Sequence, residues 1–142
     1  DSGALLASDG LPGRCRRSLQ SAHSVALARV DEIPACRSLF SALGADGAAV
    51  LSGTVYVNAP QSFEARVCGD GVPAFTTVGS RVTFVCRRFG RIAGDRAQVV
   101  LIHEALHAAG LDEYPHDPKG LNPDQINALV ERSCGFGSSL RP

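Results

Sequence analysis

The chain has 142 residues, a length typical of one domain, and 44% of them are hydrophobic while 20% are charged. This composition excludes a wholly disordered chain. The 14 basic and 14 acidic side chains give a formal net charge of zero, which argues against a nucleic-acid partner, because binding to phosphates requires a basic surplus. No apolar run approaches the length of about 18 residues that a membrane span requires, so we expect none.

The N-terminal third is predicted to be helical after a short tail. Residues 1–13 are small, glycine-containing and aperiodic, so we expect a flexible tail followed by a single domain over 14–142. A helix is predicted from Arg14, because apolar residues recur at three- and four-residue steps and form one stripe: Cys15, Leu19, Ala22, Ala26 and Val30. Pro34 can occupy the first turn of a second short helix, and Gly44 supplies a stop.

The middle of the chain shows the alternation that is typical of short strands. Apolar and polar residues alternate over 51–57, 62–67, 74–78 and 81–86. A glycine and a serine separate the last two segments, which predicts a hairpin. We therefore expect four strands in one small sheet that is mostly antiparallel or mixed.

Two further helices are predicted after the strands. The segment 97–109 is apolar almost all round, which predicts a buried helix capped by Asp95 and ended by Gly110. The last helix is predicted to begin at Asn122, with a proline at its first helical position, and to run to about Ser133.

Five cysteines are present and no two of them form a CxxC pair, which argues against a cysteine-only zinc site. We expect two disulfides and one free thiol: Cys15–Cys36, Cys68–Cys86 and free Cys134. The alternative is a set of buried, reduced cysteines. The sequence contains no methionine, not even at its start, and so looks like a processed chain. We therefore expect an exported protein, secreted or periplasmic, whose signal peptide has been removed.

The stretch 100–117, VLIHEALHAAGLDEYPHD, contains three of the four histidines in the chain. His103 and His107 are four residues apart, so on a helix both imidazoles project from one face and can bind a single ion. Neutral imidazole suits Zn²⁺. Glu104 lies beside the first histidine, offset by about 100° of helix rotation, where it can reach a metal-bound water without binding the metal itself. This is the HExxH arrangement.

The HExxH pattern is specific. A shuffled chain of this composition would contain it roughly 0.003 times. The alternative is a helix whose two histidines are satisfied by ordinary hydrogen bonds, but buried polar groups without partners cost roughly 1–3 kcal/mol each. A bound metal with a coordinated water removes this difficulty. We therefore expect one zinc ion per chain.

A third protein ligand is needed, and the sequence offers four candidates. Glu113 comes ten residues after His103, and Gly110 between them can adopt a left-handed conformation that turns the chain back towards the metal. We favour Glu113. The other candidates lie in the same returning segment or on the last helix: Asp112, His116 and Glu131.

The segment 103–113, HEALHAAGLDE, resembles the active-site helix and glycine turn of the zincin metallopeptidases, specifically the metzincin pattern HExxHxxGxx(H/D). The snapalysins, small secreted bacterial peptidases of this kind, are similar in length. The resemblance implies an α+β, zincin-like single domain, in which N-terminal helices and a small sheet precede the HExxH helix and a C-terminal helix. It also implies that His103 and His107 bind zinc and that Glu104 is the general base.

The chain departs from the metzincin pattern at two points. Glu113 stands where that family has histidine or aspartate, although glutamate is a legitimate zinc ligand. The chain contains no methionine, so the methionine turn below the metzincin metal has no counterpart. With Glu131 as the third ligand, the protein would instead resemble a minimal gluzincin.

The implied function is zinc-dependent hydrolysis of bonds in peptide or protein substrates. Zinc lowers the pKa of its bound water and polarises the scissile carbonyl, while Glu104 takes the water proton and passes it to the leaving amine. Tyr114 could stabilise the developing oxyanion, and the strand 81–86 could hold the substrate by strand addition. The alternatives are a catalytically inactive, zinc-stabilised binding module and a non-peptidase hydrolase on the same scaffold.

Overall fold

The computed structural model describes residues 5–8 and 10–136, without the side chain of residue 70. In this part of the chain six α-helices and a small mixed sheet form an α+β fold, which confirms the predicted class. The helices are α1 (Gly13–Glu32), α2 (Pro34–Ser41), α3 (Gly47–Gly53), α4 (Gln61–Arg66), α5 (Gly94–Ala108) and α6 (Pro123–Ser133). The strands are β1 (Leu6–Ala7), β2 (Val55–Asn58), β3 (Ala74–Thr76) and β4 (Val82–Val85). Two short 3-10 helices cover Cys68–Asp70 and Arg87–Arg91.

The first two helices form where they were predicted. All five residues of the apolar stripe on α1 are buried, and Leu19 and Ala26 are inaccessible to solvent. Pro34 occupies the first turn of α2, where its fixed φ angle suits the helix and its missing N–H leaves no bond unmade. These helices contribute many of the buried residues of the main hydrophobic core.

A third helix occupies part of the first predicted strand. The side chain of Asp46 accepts a hydrogen bond from the backbone N–H of Ala48 and so caps α3. The helix continues to Gly53, and β2 begins only at Val55. The strand predicted over 51–57 is therefore confirmed only in its second half.

The four strands have the order β1-β2-β4-β3. Neighbouring strands in the series β1, β2, β4 are parallel, while β3 pairs with β4 in the antiparallel direction. The predicted hairpin between the last two strands is confirmed, with Phe75 directly opposite Phe84. In consequence β4 is an interior strand, and β3 forms one edge of the sheet.

The strand predicted over 62–67 is wrong, because these residues form α4 and the turn after it. Pro60 immediately precedes the segment and favours the start of a helix. Six alternating residues do not distinguish a short strand from a short helix. As a helix, the segment places the ring of Phe63 against the rings of Phe75 and Phe84 on the outer face of the sheet.

The fourth strand comes instead from the N-terminal segment. β1 pairs in parallel with β2, so part of the expected tail belongs to the sheet. Leu11, in the same segment, is 5% exposed and packs in the core. Residues 1–4 and 9 of the expected tail lie outside the described residues.

The last two helices also form at the predicted places. α6 begins with the predicted capping box, in which the Asn122 side chain accepts from the N–H of Gln125 and the Gln125 side chain accepts from the N–H of Asn122. No side chain caps α5, so the predicted cap by Asp95 is wrong. Asp95 lies within the first turn, where its charge interacts favourably with the helix dipole.

α5 is the central helix of the domain. It packs against α1 and also contacts α3, α6 and β3. Ten of its residues are buried, so the histidines and the glutamate of the HExxH motif lie among apolar side chains. None of the helices in the described part of the chain is long and apolar enough to cross a membrane.

The cysteines form two disulfides, Cys36–Cys134 and Cys68–Cys86, and Cys15 is a buried free thiol. The predicted Cys68–Cys86 bridge is confirmed. The predicted Cys15–Cys36 bridge and free Cys134 are wrong, because α2 packs against α6 and brings the Cα atoms of Cys36 and Cys134 to 4.5 Å. Cys15 lies on the face of α1 that packs against the 3-10 helix after β4. Two disulfides are consistent with an extracellular location.

Candidate metal centre

The two histidines of α5 converge on one point. His103 and His107 are one helical turn apart, are 7% and 5% exposed, and have their Nε2 atoms 3.1 Å apart. The helix ends at Ala108, and Gly110 follows with a φ of +118°, which an L side chain adopts only with strain. The N–H of the next residue, Leu111, then donates to a carbonyl of the last helical turn, so the chain folds back across the helix end.

This turn brings Glu113 to the histidines. Its Oε1 atom lies 2.8 Å from Nε2 of His107 and 3.7 Å from Nε2 of His103. Among the side chains that the structure describes, these three are the only His, Cys, Asp or Glu group whose ligand atoms lie close enough to hold one metal ion. The side chain of Glu113 is 31% exposed, so the site is open to solvent beside it.

The other ring nitrogen of each histidine, Nδ1, forms a hydrogen bond to an oxygen acceptor. Nδ1 of His107 donates to the backbone carbonyl of Leu111 at 2.7 Å, and that oxygen can only accept. Nδ1 of His103 donates to Oδ1 of Asn127, on α6, also at 2.7 Å. A neutral imidazole with hydrogen on Nδ1 has its lone pair on Nε2, so both rings direct lone pairs to the same point. Hydrogen bonds of this kind orient histidine ligands in metal sites.

The three donor atoms have a separation that suits a metal ion. In a tetrahedral zinc site with metal–ligand distances of about 2.0–2.1 Å, the ligand atoms lie about 3.3 Å apart. The observed separations of 2.8, 3.1 and 3.7 Å bracket that value. Two imidazoles and one carboxylate, with a fourth position open, are also a donor set of catalytic zinc sites. The three residues could therefore hold a metal ion, and their chemistry suits zinc.

The protonation of these residues follows from the same contacts. Burial alone would lower the pKa of His103, but the nearby carboxylates of Glu113 and Glu104 and the hydrogen bond with Asn127 outweigh burial and raise the pKa. The imidazole of His103 nearby holds the pKa of Glu113 below its usual range, against partial burial and with help from the charge of His107. Lone pairs crowded around one point thus attract a cation, whether a metal ion or a proton.

Glu104 lies beside the two histidines and outside the ligand cluster. The residue is 8% exposed, and its Oε1 atom has no hydrogen-bond partner in the described part of the chain. Burial raises the pKa of Glu104, while the two imidazoles and the hydroxyl of Thr76 oppose that rise. A buried carboxylate oxygen without a partner costs roughly 1–3 kcal/mol, so the position favours a hydrogen-bond donor such as water.

Other polar side chains surround Glu104 on the sheet side. The hydroxyl oxygens of Thr76 and Thr83, on neighbouring strands, lie 2.6 Å apart and are both buried. Tyr56 on β2 is 1% exposed, and its burial, together with the charge of Glu104, raises the pKa of its phenol. The carboxylate of Glu104 therefore lies near polar side chains of the sheet within an otherwise apolar core.

The candidate site opens into a cleft of about 520 Å³, a volume typical of ligand pockets. The three candidate ligands and Glu104 form one part of its wall, and β3 with the loop before it forms another. The first turns of α6 complete it. Its apolar lining consists of Val67, Val72, Pro73, Ala74, Phe75, Val78 and Val100. The candidate metal centre thus adjoins an apolar surface large enough for a side chain.

The remaining candidates from the sequence lie outside the ligand cluster. Asp112 and His116 pair with each other at 2.7 Å, and the side chain of His116 is 83% exposed. Glu131 lies one turn beyond Asn127 on α6 and is not part of the cluster. Tyr114 is 52% exposed and does not line the cleft, so this geometry does not bring it to a developing oxyanion.

Sequence reasoning missed polar residues that come from distant elements. Asn127 and Thr76 approach the motif from α6 and β3, and no spacing in the sequence marks either of them. His23 is 2% exposed, and its Nε2 atom lies 3.0 Å from the carbonyl oxygen of Leu51 in the last turn of α3.

Comparisons with known proteins add no assignment. No family model, curated protein or solved structure matches the chain.

Proposed function

We propose that this protein is a zinc-dependent metalloendopeptidase with a zincin-like fold. The proposal rests on one observation: Nε2 of His103, Nε2 of His107 and Oε1 of Glu113 lie within 3.7 Å of one another, next to buried Glu104, in an open cleft. The order of elements, with helices and a small mixed sheet before the HExxH helix and one helix after it, supports the zincin-like arrangement. Two disulfides support export to a secreted or periplasmic location.

Each residue of the site has a distinct role in this proposal. His103, His107 and Glu113 hold one zinc ion, which when bound supplies a Lewis acid that polarises a carbonyl and lowers the pKa of water towards ~7. Glu104 accepts a proton from the attacking water and donates it to the leaving nitrogen as the C–N bond breaks, so it ends the cycle ionised again. A pKa raised by burial suits this role, because the carboxylate is then a stronger base towards the attacking water.

The substrate is proposed to bind along the free edge of β3. The sequence indicated 81–86 as the strand for this purpose, but β4 is interior and its two edges already pair with β2 and β3, so that prediction is wrong. β3 and Pro73 line the cleft beside the candidate ligands. An extended peptide added to this edge would gain backbone hydrogen bonds and lie across the site.

The test is hydrolysis of an unbiased peptide library by the zinc-loaded protein and by the Glu104→Gln variant. Wild type should cleave internal peptide bonds. The variant keeps the size of the side chain but not its basicity, so it should retain zinc and lose roughly 10²–10⁴-fold in rate. Glu32→Gln, an exposed change on α1, is the matched control and should cleave like wild type.

Two outcomes would contradict the proposal. Undiminished hydrolysis by Glu104→Gln would remove the general base from the mechanism. Absence of hydrolysis by every protein, with zinc bound in each, would favour the alternative of an inactive, zinc-stabilised binding module.

A further inference from the structure

One arginine lines the cleft, and a second lies next to a glycine that lines it. Arg96 lines the cleft on α5, two helical turns before His103. Nη1 of Arg88 lies 2.9 Å from the point where a Cβ would stand on Gly71, which also lines the cleft. Both arginines are exposed, and neither forms an ion pair with any residue of the described chain.

The cleft contains one carboxylate that could oppose these charges. Apart from Glu104 and Glu113, Asp124 is the acidic residue among those that line it. Asp124 lies in the first turn of α6, where the partial positive charge of the helix N-terminus stabilises it. It makes no ion pair with either arginine, so among the described side chains neither guanidinium group has an acidic partner.

The distance from the reaction centre can be given in substrate residues. Arg96 precedes His103 by seven positions on the helix, which corresponds to about 10.5 Å along the helix axis. An extended peptide advances about 3.3 Å per residue, so this distance corresponds to about three residues of substrate. A guanidinium at that distance would reach a side chain near the third residue from the scissile bond.

The direction of the substrate follows from the direction of β3. The N–H of Gly79, just beyond β3, donates to the carbonyl of His107 at 2.9 Å, so β3 ends near the C-terminal end of α5 and begins nearer Arg96. β3 already pairs in the antiparallel direction with β4, and antiparallel pairs are the commoner kind. A strand added in that direction would run towards Arg96, which places its C-terminal half on the Arg96 side of the candidate metal centre.

We infer that the cleft selects peptides with a carboxylate about three residues C-terminal to the scissile bond, bound by Arg88 and Arg96. Arginine suits this task because its planar fork of N–H donors matches the two oxygens of a carboxylate. The inference rests on the proposed peptidase function and adds an acidic substrate class to it. The preference should be electrostatic and should therefore shrink as the salt concentration rises.

The experiment is a sequence profile of the products that zinc-loaded protein releases from an unbiased peptide library. Wild type should show roughly three- to tenfold enrichment of Asp and Glu near the third residue after the cleaved bond. The Arg88→Glu/Arg96→Glu variant should lose this enrichment and favour Lys and Arg there. Arg81→Glu, an exposed arginine outside the cleft, is the matched control with the same change of charge per site and should keep the wild-type profile.

The outcomes separate this inference from the proposed function. Cleavage without acidic enrichment, or enrichment that survives in the Arg88→Glu/Arg96→Glu variant, overturns the inference and leaves the peptidase proposal standing. Enrichment of Asp and Glu on the N-terminal side of the cleaved bond would show that the peptide does not bind antiparallel to β3, and it overturns the inference. Absence of cleavage by wild type overturns both. Because both arginines are exposed, the variants should melt within a few degrees of wild type.

Discussion

Nδ1 of His103 lies 2.7 Å from Oδ1 of Asn127, although 24 residues separate them. This hydrogen bond connects α6 to the HExxH helix at the candidate metal centre. The disulfide Cys36–Cys134 ties the other end of α6 to α2. The last helix of the domain thus holds a candidate zinc ligand in its orientation while being anchored itself at a second point.

Replacing Asn127 should weaken zinc binding without removing a ligand. In Asn127→Ala, Nδ1 of His103 loses its acceptor and the ring is free to turn, so zinc affinity should fall roughly 10–100-fold. Asn127→Asp preserves an acceptor oxygen and should bind zinc at least as well as wild type. A competition titration with a chromogenic chelator measures both. Equal affinity in wild type and Asn127→Ala would mean that this hydrogen bond does not position the ligand.

Glu113 should behave as a ligand and the neighbouring acidic and histidine residues should not. Glu113→Gln removes the charged donor 2.8 Å from His107, so zinc affinity should fall by at least about 100-fold, with a lower melting temperature at limiting zinc. His116→Ala and Glu131→Gln are the controls and should change affinity less than about threefold. If Glu131→Gln lost zinc and Glu113→Gln kept it, the gluzincin-like ligand set would replace the one proposed.

The metal-free protein should lose stability as the pH rises from about 6 to about 8. Because the pKa of His103 is raised, its protonated form stabilises the fold fully below the ordinary histidine pKa of 6.5. This stabilisation is lost as the pH rises through the raised pKa. The raised pKa of Glu104 acts in the same direction, because its ionised form is disfavoured by burial. The lowered pKa of Glu113 stabilises the fold fully above its ordinary value of 4.5. This contribution to stability therefore does not change over the pH range considered.

Zinc should reverse this pH dependence, since metal and protons compete for the same imidazole nitrogens. Melting temperatures of chelator-treated and zinc-loaded protein, measured at both pH values, test the sign. His103→Ala is the control and should flatten the slope of the metal-free protein. A metal-free protein that became more stable at the higher pH would contradict the assigned shifts.

The Cys36–Cys134 disulfide should contribute strongly to stability. It joins residues 98 apart in sequence, and closing a loop of that size stabilises the folded state by about 4.7 kcal/mol in the chain-entropy model. Cys36→Ala/Cys134→Ala should therefore lower the free energy of unfolding by an amount of that order. Cys15→Ala should leave both bridges intact in non-reducing peptide mapping. A crosslinked peptide containing Cys15 and Cys36 would contradict the pairing.

Features set by neighbouring residues could be predicted from the sequence. The four-residue spacing of His103 and His107 places both rings on one face of any helix, whatever surrounds it. The capping box of Asn122 and Gln125 is likewise a contact across three residues. Such contacts depend on local geometry alone, so they can be predicted directly from the sequence.

Features set by distant packing could not be predicted in the same way. The choice of Cys134 as the partner of Cys36 depends on how α2 and α6 pack, and the acceptor for His103 depends on the position of α6 against α5. The helix over 61–66 was missed because six alternating residues fit either a strand or a helix until the phenylalanines of the sheet are in place. Each of these outcomes is decided by tertiary contacts.

Metal analysis of the purified protein tests the central claim most directly. Protein loaded with zinc and then freed of excess metal should contain about one zinc ion per chain by elemental analysis, because three donor atoms converge at one point. The His103→Ala/His107→Ala double variant should contain almost none, and His23→Ala, which removes a histidine outside the site, should retain the wild-type content. A stoichiometry that stays near one in the double variant would contradict the account.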